Sequence, residues 1–204
     1  AMRVVHITDL HLRQALRGTA ELAERRSRLM PAMLRRAAAH MRHVRPDVVV
    51  CSGDLLDYPT DAVDDPATRE LARCDLETVA QTLGTVGCPY VVLPGNHDLP
   101  DLTWEVFGDA PRDVVAGDLR FIVFDDTEGD GHVPHRTGSE RGRFQDALLN
   151  ASGPPQVHVQ HYLVWPERNE GYPHTYADGE DLTERIVQSG LVRLVVSGHY
   201  HPGV

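Results

Sequence analysis

Short runs of β-branched and apolar residues alternate along the chain with longer stretches in which apolar positions recur every third or fourth residue. Six of the short runs, RVVHIT (3–8), DVVVCS (47–52), YVVLP (90–94), RFIVF (120–124), QVHVQ (156–160) and VRLVVS (192–197), predict buried strands. Between the first two, the stretch 19–44 holds apolar residues at helical spacing with basic residues elsewhere, and predicts one helix kinked at Pro31 or two short ones. Residues 65–86 predict the clearest helix, with Asp65 as N-cap, Pro66 in the first turn and an apolar stripe through Leu71, Leu76, Val79 and Leu83. Weaker patterns predict helices near 140–150 and 179–189. Strands alternating with helices predict an α/β layered fold, in which binding residues collect beyond the C-terminal ends of the strands. The polar, Gly- and Pro-containing stretches 128–139 and 165–181 predict loops that rim such a site.

Composition narrows this picture. At 204 residues, 41% hydrophobic and 25% charged, the chain suits one globular domain. Its apolar runs are far shorter than the roughly 20 residues that span a bilayer, and the amino terminus enters a strand pattern without the apolar core of a secretory signal. A cytoplasmic protein with no membrane partner is therefore expected. The net charge of −10 opposes holding long nucleic acid by a broad basic surface. Cys51, Cys74 and Cys88 are odd in number and lack paired spacing, which argues against a disulfide framework or a thiolate zinc site and assigns them to packing. The 12 histidines, scattered rather than clustered in a run, are the anomaly.

The chemistry lies at the strand ends. Five of the six predicted strands are followed within a few residues by metal-ligand or proton-transfer types: TDLH (Asp9, His11), SGDLLD (Asp54, Asp57), PGNHD (Asn96, His97, Asp98), QHY (His161) and SGHYH (His199, His201). In extended backbone, residues two apart point the same way, so Asp9 with His11, and His199 with His201, can each present a pair of ligands. Mixed carboxylate and imidazole donors suit divalent first-row ions such as manganese, iron or zinc better than magnesium or calcium. Asp9, His11, Asp54, Asn96, His161, His199 and His201 are too many ligands for one tetrahedral ion, and suit two ions about 3.5–4 Å apart that share a carboxylate. Such a pair serves displacement at phosphorus, and its surplus positive charge attracts a phosphate anion despite the acidic surface. His6 and His158, inside predicted strands, read as packing residues, and His40 and His43 as solvated. The Arg25–Arg36 cluster reads as a charged helix face in water. His132, His135, Tyr172, His174 and Tyr176 lie in the long loops, where they could stack on a nucleobase or remain surface decoration.

The order D-x-H, GD-x-x-D, GNHD, H, GH-x-H over residues 9–201 resembles the calcineurin-like metallophosphoesterases, and VVHITDLHL, RPDVVVCSGDLLD and YVVLPGNHD are most similar to the bacterial cyclic-nucleotide phosphodiesterase branch. The resemblance implies two mixed β-sheets packed face to face and flanked by helices. It implies that Asp9, His11, Asp54 and His201 hold one divalent ion, that Asp54, Asn96, His161 and His199 hold the second, and that Asp54 bridges. It also implies that His97 protonates the leaving group, that Asp57 orients it, and that Asp98 supports the ligands from outside. The substrate so implied is a small phosphodiester, with cyclic nucleotides as the branch-level case. A phosphomonoesterase or nucleotide pyrophosphatase would use the same site. A protein-binding scaffold on this fold tends to lose catalytic residues, and this chain retains all of them. Repair nucleases share several blocks, but the acidic charge and compact length argue against them. Two departures stand out: Gln160 occupies a position where relatives often carry histidine, and relatives continue past GH-x-H with strands that complete the second sheet. The expectation is a single domain truncated at its C-terminus.

Overall fold

The structure, a computed structural model, describes residues 2–202. Gly203 and Val204, where the expected truncation falls, lie outside the described residues. The chain divides into two compact units, Ala1–Ala110 and Pro111–Val204.

The first unit is a β-α-β-α-β arrangement. Strands β1 (Val4–Ile7), β2 (Val48–Ser52) and β3 (Tyr90–Leu93) form a parallel sheet in the order β1-β2-β3. Parallel neighbours require long crossovers, here carrying helices α1 (Met30–Val44) and α2 (Pro66–Gly84). Every residue of the central strand β2 is buried, which explains its uninterrupted apolar run. The core joins Leu34, Ala38 and Met41 of α1 and Leu76, Val79 and Leu83 of α2 to Val49, Cys51 and Val92 of the sheet. Helix α2 starts as its sequence predicts: Asp65 is the N-cap, its carboxylate accepts from Thr68 N–H at 2.9 Å, and Pro66 opens the first turn. A short helix α3 (Pro100–Phe107), missed by the sequence pattern, follows β3.

The long helix predicted over 19–44 is corrected. Pro31 stands in the first turn of α1, where its missing N–H is harmless, so it starts the helix rather than kinking it. The preceding residues turn back on themselves, with one 3-10 turn at Ala23–Arg25 closed by Arg26 in left-handed backbone. Asp75, buried on α2, holds this connection by accepting from the backbone N–H groups of Gln14, Ala15 and Leu16 at 2.9, 2.6 and 3.0 Å.

The second unit is built on a four-stranded mixed sheet. Strands β4 (Asp113–Ala116) and β5 (Leu119–Val123) form a tight antiparallel hairpin. After the two-residue strands β6 (Thr127–Glu128) and β7 (Pro134–His135), helix α4 (Gly138–Leu149) leads to β8 (Gln156–Val159), and helix α5 (Gly179–Ser189) leads to β9 (Val192–Val196). The order is β4-β5-β8-β9, with β5, β8 and β9 parallel. Ile122, Phe124, Phe144, Leu182 and Ile186 are among its core residues. Strand β4 escaped prediction because its apolar run is only Val114 to Ala116, cut short by Asp113 and Gly117, and Asp113 and Val115 are exposed.

Candidate metal centre

All the candidate ligands lie where strands run out. In the first unit, Asp9 and His11 follow β1, Asp54 and Asp57 follow β2, and Asn96 to Asp98 follow β3. The first two blocks are laced by backbone hydrogen bonds, Asp9 N–H to Gly53 O at 3.0 Å and His11 N–H to Asp54 O at 2.9 Å. Asp9, His11 and Asp54 each offer one ligand atom within 4.8 Å of the others, and His11, Asp57 and His97 form a second such group. Asp54 Oδ1 also accepts from His97 N–H at 2.8 Å, and its Oδ2 lies 3.5 Å from His11 Nε2. Burial pushes the His11 imidazole down to about 4, so it is neutral at pH 7 and retains a lone pair for a metal.

These positions are held against backbone preference. Asp9 (φ 53°), His11 (φ 44°) and Asp54 (φ 50°), with His199 (φ 69°) in the second unit, adopt left-handed backbone. Such conformations cost about 1–3 kcal/mol each and cluster at functional sites.

Asp57, expected to orient His97, lies with Oδ1 at 3.5 Å from His97 Nδ1. It is buried and carries two guanidinium groups, that of Arg13, which the sequence did not single out, and that of Arg25, expected on a charged helix face. Arg13 holds Oδ2 through Nε at 2.9 Å and Nη2 at 2.7 Å, and Arg25 Nη1 donates to Oδ1 at 2.6 Å. Arg25 is therefore removed from the solvated helix face assigned to it, with its side chain only 13% exposed. Nothing in the residue pattern could have found it, because the helical spacing of 19–44 continues through a segment that is not helical. Asp98 supports the loops: it accepts from Gly95, Leu55 and Leu56 N–H at 2.8, 3.0 and 2.8 Å. Burial, with the Asp54 charge beside it, pushes its carboxyl up to about 7 against those donors. Asn96 is half-buried at the start of this turn.

In the second unit His161 follows β8 and His199 follows β9; both are buried, their rings 4.9 Å apart, with ligand atoms within 4.8 Å of each other. His161 O accepts from Gly198 N–H at 2.9 Å, tying the two strand ends. His201 is exposed. Gln160 serves a buried network: its Oε1 accepts from Arg136 Nη2 at 2.8 Å and its Nε2 donates to Tyr162 O at 2.9 Å. Arg136, fully buried over the Phe124 ring, pairs with Asp126 at 2.7 Å, and Tyr176 donates to the same carboxylate at 2.6 Å. Tyr176 is thus a core residue rather than a loop ring available for stacking. Tyr172 and His174 do lie near His199, with ring centroids at 5.6 and 5.0 Å. An open cavity of about 590 Å³ is lined by Glu167, Arg168, Asn169, Glu170, His174 and Tyr200.

The remaining histidines and the cysteines sort as follows. His6 Nε2 meets Ser52 Oγ at 2.8 Å, His158 is buried against Gln156, and His40 and His43 are exposed. Cys51 is buried as expected of a packing residue, whereas Cys74 is exposed. Among the described residues no helix is long and apolar enough to cross a membrane.

Parallel strands whose C-terminal ends carry carboxylates, imidazoles and an amide define an α/β protein whose strand ends could hold a metal ion. The family model for calcineurin-like phosphoesterases matches residues 2–203, and the chain belongs to that family. It is a metal-dependent phosphoric ester hydrolase that uses divalent ions. Among curated proteins, the chain is 27% identical over 213 residues to a probable cyclic nucleotide phosphodiesterase of Synechococcus sp., covering 98% of this chain and 73% of that one. It is 22% identical over 219 residues to a probable cyclic nucleotide phosphodiesterase of Psychrobacter arcticus, covering 98% and 74%. Among solved structures, a dimetal phosphatase from Danio rerio shares the fold, with a TM-score of 0.67 at 16% identity over 99% of this chain and 82% of that one.

Proposed function

We propose that the protein hydrolyses small phosphodiesters, with a nucleotide as the preferred class of substrate. Asp9, His11, Asp54, Asn96, His161, His199 and His201 are the proposed ligands of two divalent first-row ions, Asp54 being shared. The observation that carries this reading is the convergence of Asp9, His11 and Asp54, on left-handed backbone, beside a histidine held by two acids. Bound ions of this kind supply Lewis acidity at the phosphoryl oxygens and lower the pKa of water that attacks phosphorus.

The chain's own residues have distinct tasks. Asp54 accepts from the backbone N–H of His97, which ties the main chain at His97 to the proposed ligand carboxylate. Asp57 Oδ1 faces His97 Nδ1, so the other ring nitrogen is the one directed to substrate. As the ester P–O bond breaks, its electron pair stays with the leaving oxygen, which takes a proton from His97 Nε2; general-acid help of this kind contributes about 10² to 10⁴ in rate. The relatives' names support the phosphodiester class.

The test is a panel of mono-, di- and cyclic phosphate esters assayed with metal content measured in parallel. Hydrolysis of bis-p-nitrophenyl phosphate should need added manganese, iron or zinc and fall by at least about 10³-fold in Asp54→Asn. Undiminished turnover by that variant would sink the mechanism. Faster cleavage of the monoesters than of every diester would replace the substrate class with a phosphomonoesterase.

A further inference from the structure

Asp57 is one carboxylate shared by two guanidinium groups. Arg13 saturates Oδ2 and spends a further donor on Arg17 O at 3.0 Å, so it is committed to the protein. Arg25 is placed differently. Its Nη1 reaches Asp57 Oδ1 at 2.6 Å, its Nη2 reaches His97 Nε2 at 3.0 Å, and its buried Nε finds no partner among the described residues. Asp57 is shared with Arg13, so it is not the exclusive ion-pair partner of Arg25. An arginine only donates hydrogen bonds, so Nε2 is the accepting nitrogen in this arrangement and cannot also donate to a leaving group. The residue is carried on a single 3-10 turn, not on a helix, within a connection anchored at Asp75.

We propose that Arg25 binds substrate, taking an anionic oxygen of the phosphate ester and moving off His97 Nε2 as it does so. The planar fork of an arginine suits a phosphoryl group, which accepts two parallel N–H bonds. In the free protein the guanidinium occupies the place of the ester beside His97, and Asp57 keeps it poised there. The proposal rests on the phosphoester reading for its substrate, and concerns a residue outside the metal-ligand set. The bland alternative is that Arg25 only braces Asp57.

The two are separated in the metal-loaded protein with Arg25→Gln and Arg25→Lys. Three quantities are read: Kd for inorganic phosphate by titration calorimetry, KM and kcat for bis-p-nitrophenyl phosphate, and the midpoint of thermal unfolding. Arg25→Gln is expected to weaken phosphate binding and raise KM by about tenfold or more, the scale of one charged hydrogen bond. Arg25→Lys should recover part of the loss, with the midpoint preserved because Arg13 still pairs with Asp57. Phosphate Kd and KM within about twofold of the parent in both variants, with only kcat reduced, would show bracing and overturn the proposal. Should the parent hydrolyse no ester in the panel, yet bind phosphate and lose that binding in Arg25→Gln, the assignment of Arg25 stands while the hydrolytic reading falls.

Discussion

His158 shows how a single side chain ties the second unit to pH. It sits inside β8, fully buried, with its ring 4.9 Å from Phe124 and Nε2 2.9 Å from Gln156 Oε1. Burial, then the charges of Arg136 and Arg120, pushes it down to about 3 from the ordinary 6.5. Between those values the unfolded chain binds a proton that the folded chain refuses. Its contribution to stability is therefore complete above about 6.5 and is lost progressively as pH falls towards 3, at up to about 1.4 kcal/mol per pH unit. Urea unfolding of His158→Gln at pH 7 and at about 5 should show a smaller acid loss than the parent; equal losses would contradict the assignment. The composition marks 12 histidines as unusual without dividing them. Position relative to the strands divides them: His158 lies within β8 and packs, whereas His161 lies just beyond its end.

At the scale of elements, the β1 to α1 connection depends on one acid of α2. The Asp75 carboxylate receives three backbone N–H groups from residues 14–16, and no neighbouring water-exposed group could replace it at 0% exposure. Asp75→Ala should cost about 3 kcal/mol or more in denaturant unfolding, since several buried donors lose their acceptor at once. A cost below about 1 kcal/mol would mean that the connection refolds onto other partners. Strand and helix periodicity located β1, β2, β3, α2 and α5 because each turns an apolar face to a core. It failed over 19–29 because alanine, leucine and arginine also populate irregular backbone when a polar anchor such as Asp75 holds it. Strand β4 has an apolar run of only three residues, and Arg136 and Asp126 entered the core as a neutralised pair, a choice that no hydrophobic pattern records.

For the molecule as a whole, the candidate ligands are drawn from both units, three strand ends in the first and two in the second. Their order along the chain, each after a strand, is what made the family and the candidate residues legible in the sequence. The partners of Asp57 and His97 were illegible, since Arg13 and Arg25 reach them through distances that sequence spacing does not encode. Ligand binding stabilises a fold in proportion to occupancy, by about 2.7 kcal/mol at a free concentration one hundred times Kd. Stripping the ions with a chelator should therefore lower the midpoint of thermal unfolding, and restoring manganese or zinc should raise it again. A midpoint indifferent to both treatments would argue against a resident metal centre.

The left-handed backbone at Asp9, His11, Asp54 and His199 also bears on how this sequence can drift. At each position glycine would relieve the conformation while deleting a proposed ligand. Selection for a firm fold alone would therefore favour glycine at these four positions, and the carboxylates and imidazoles that stand there instead set chemistry ahead of backbone comfort.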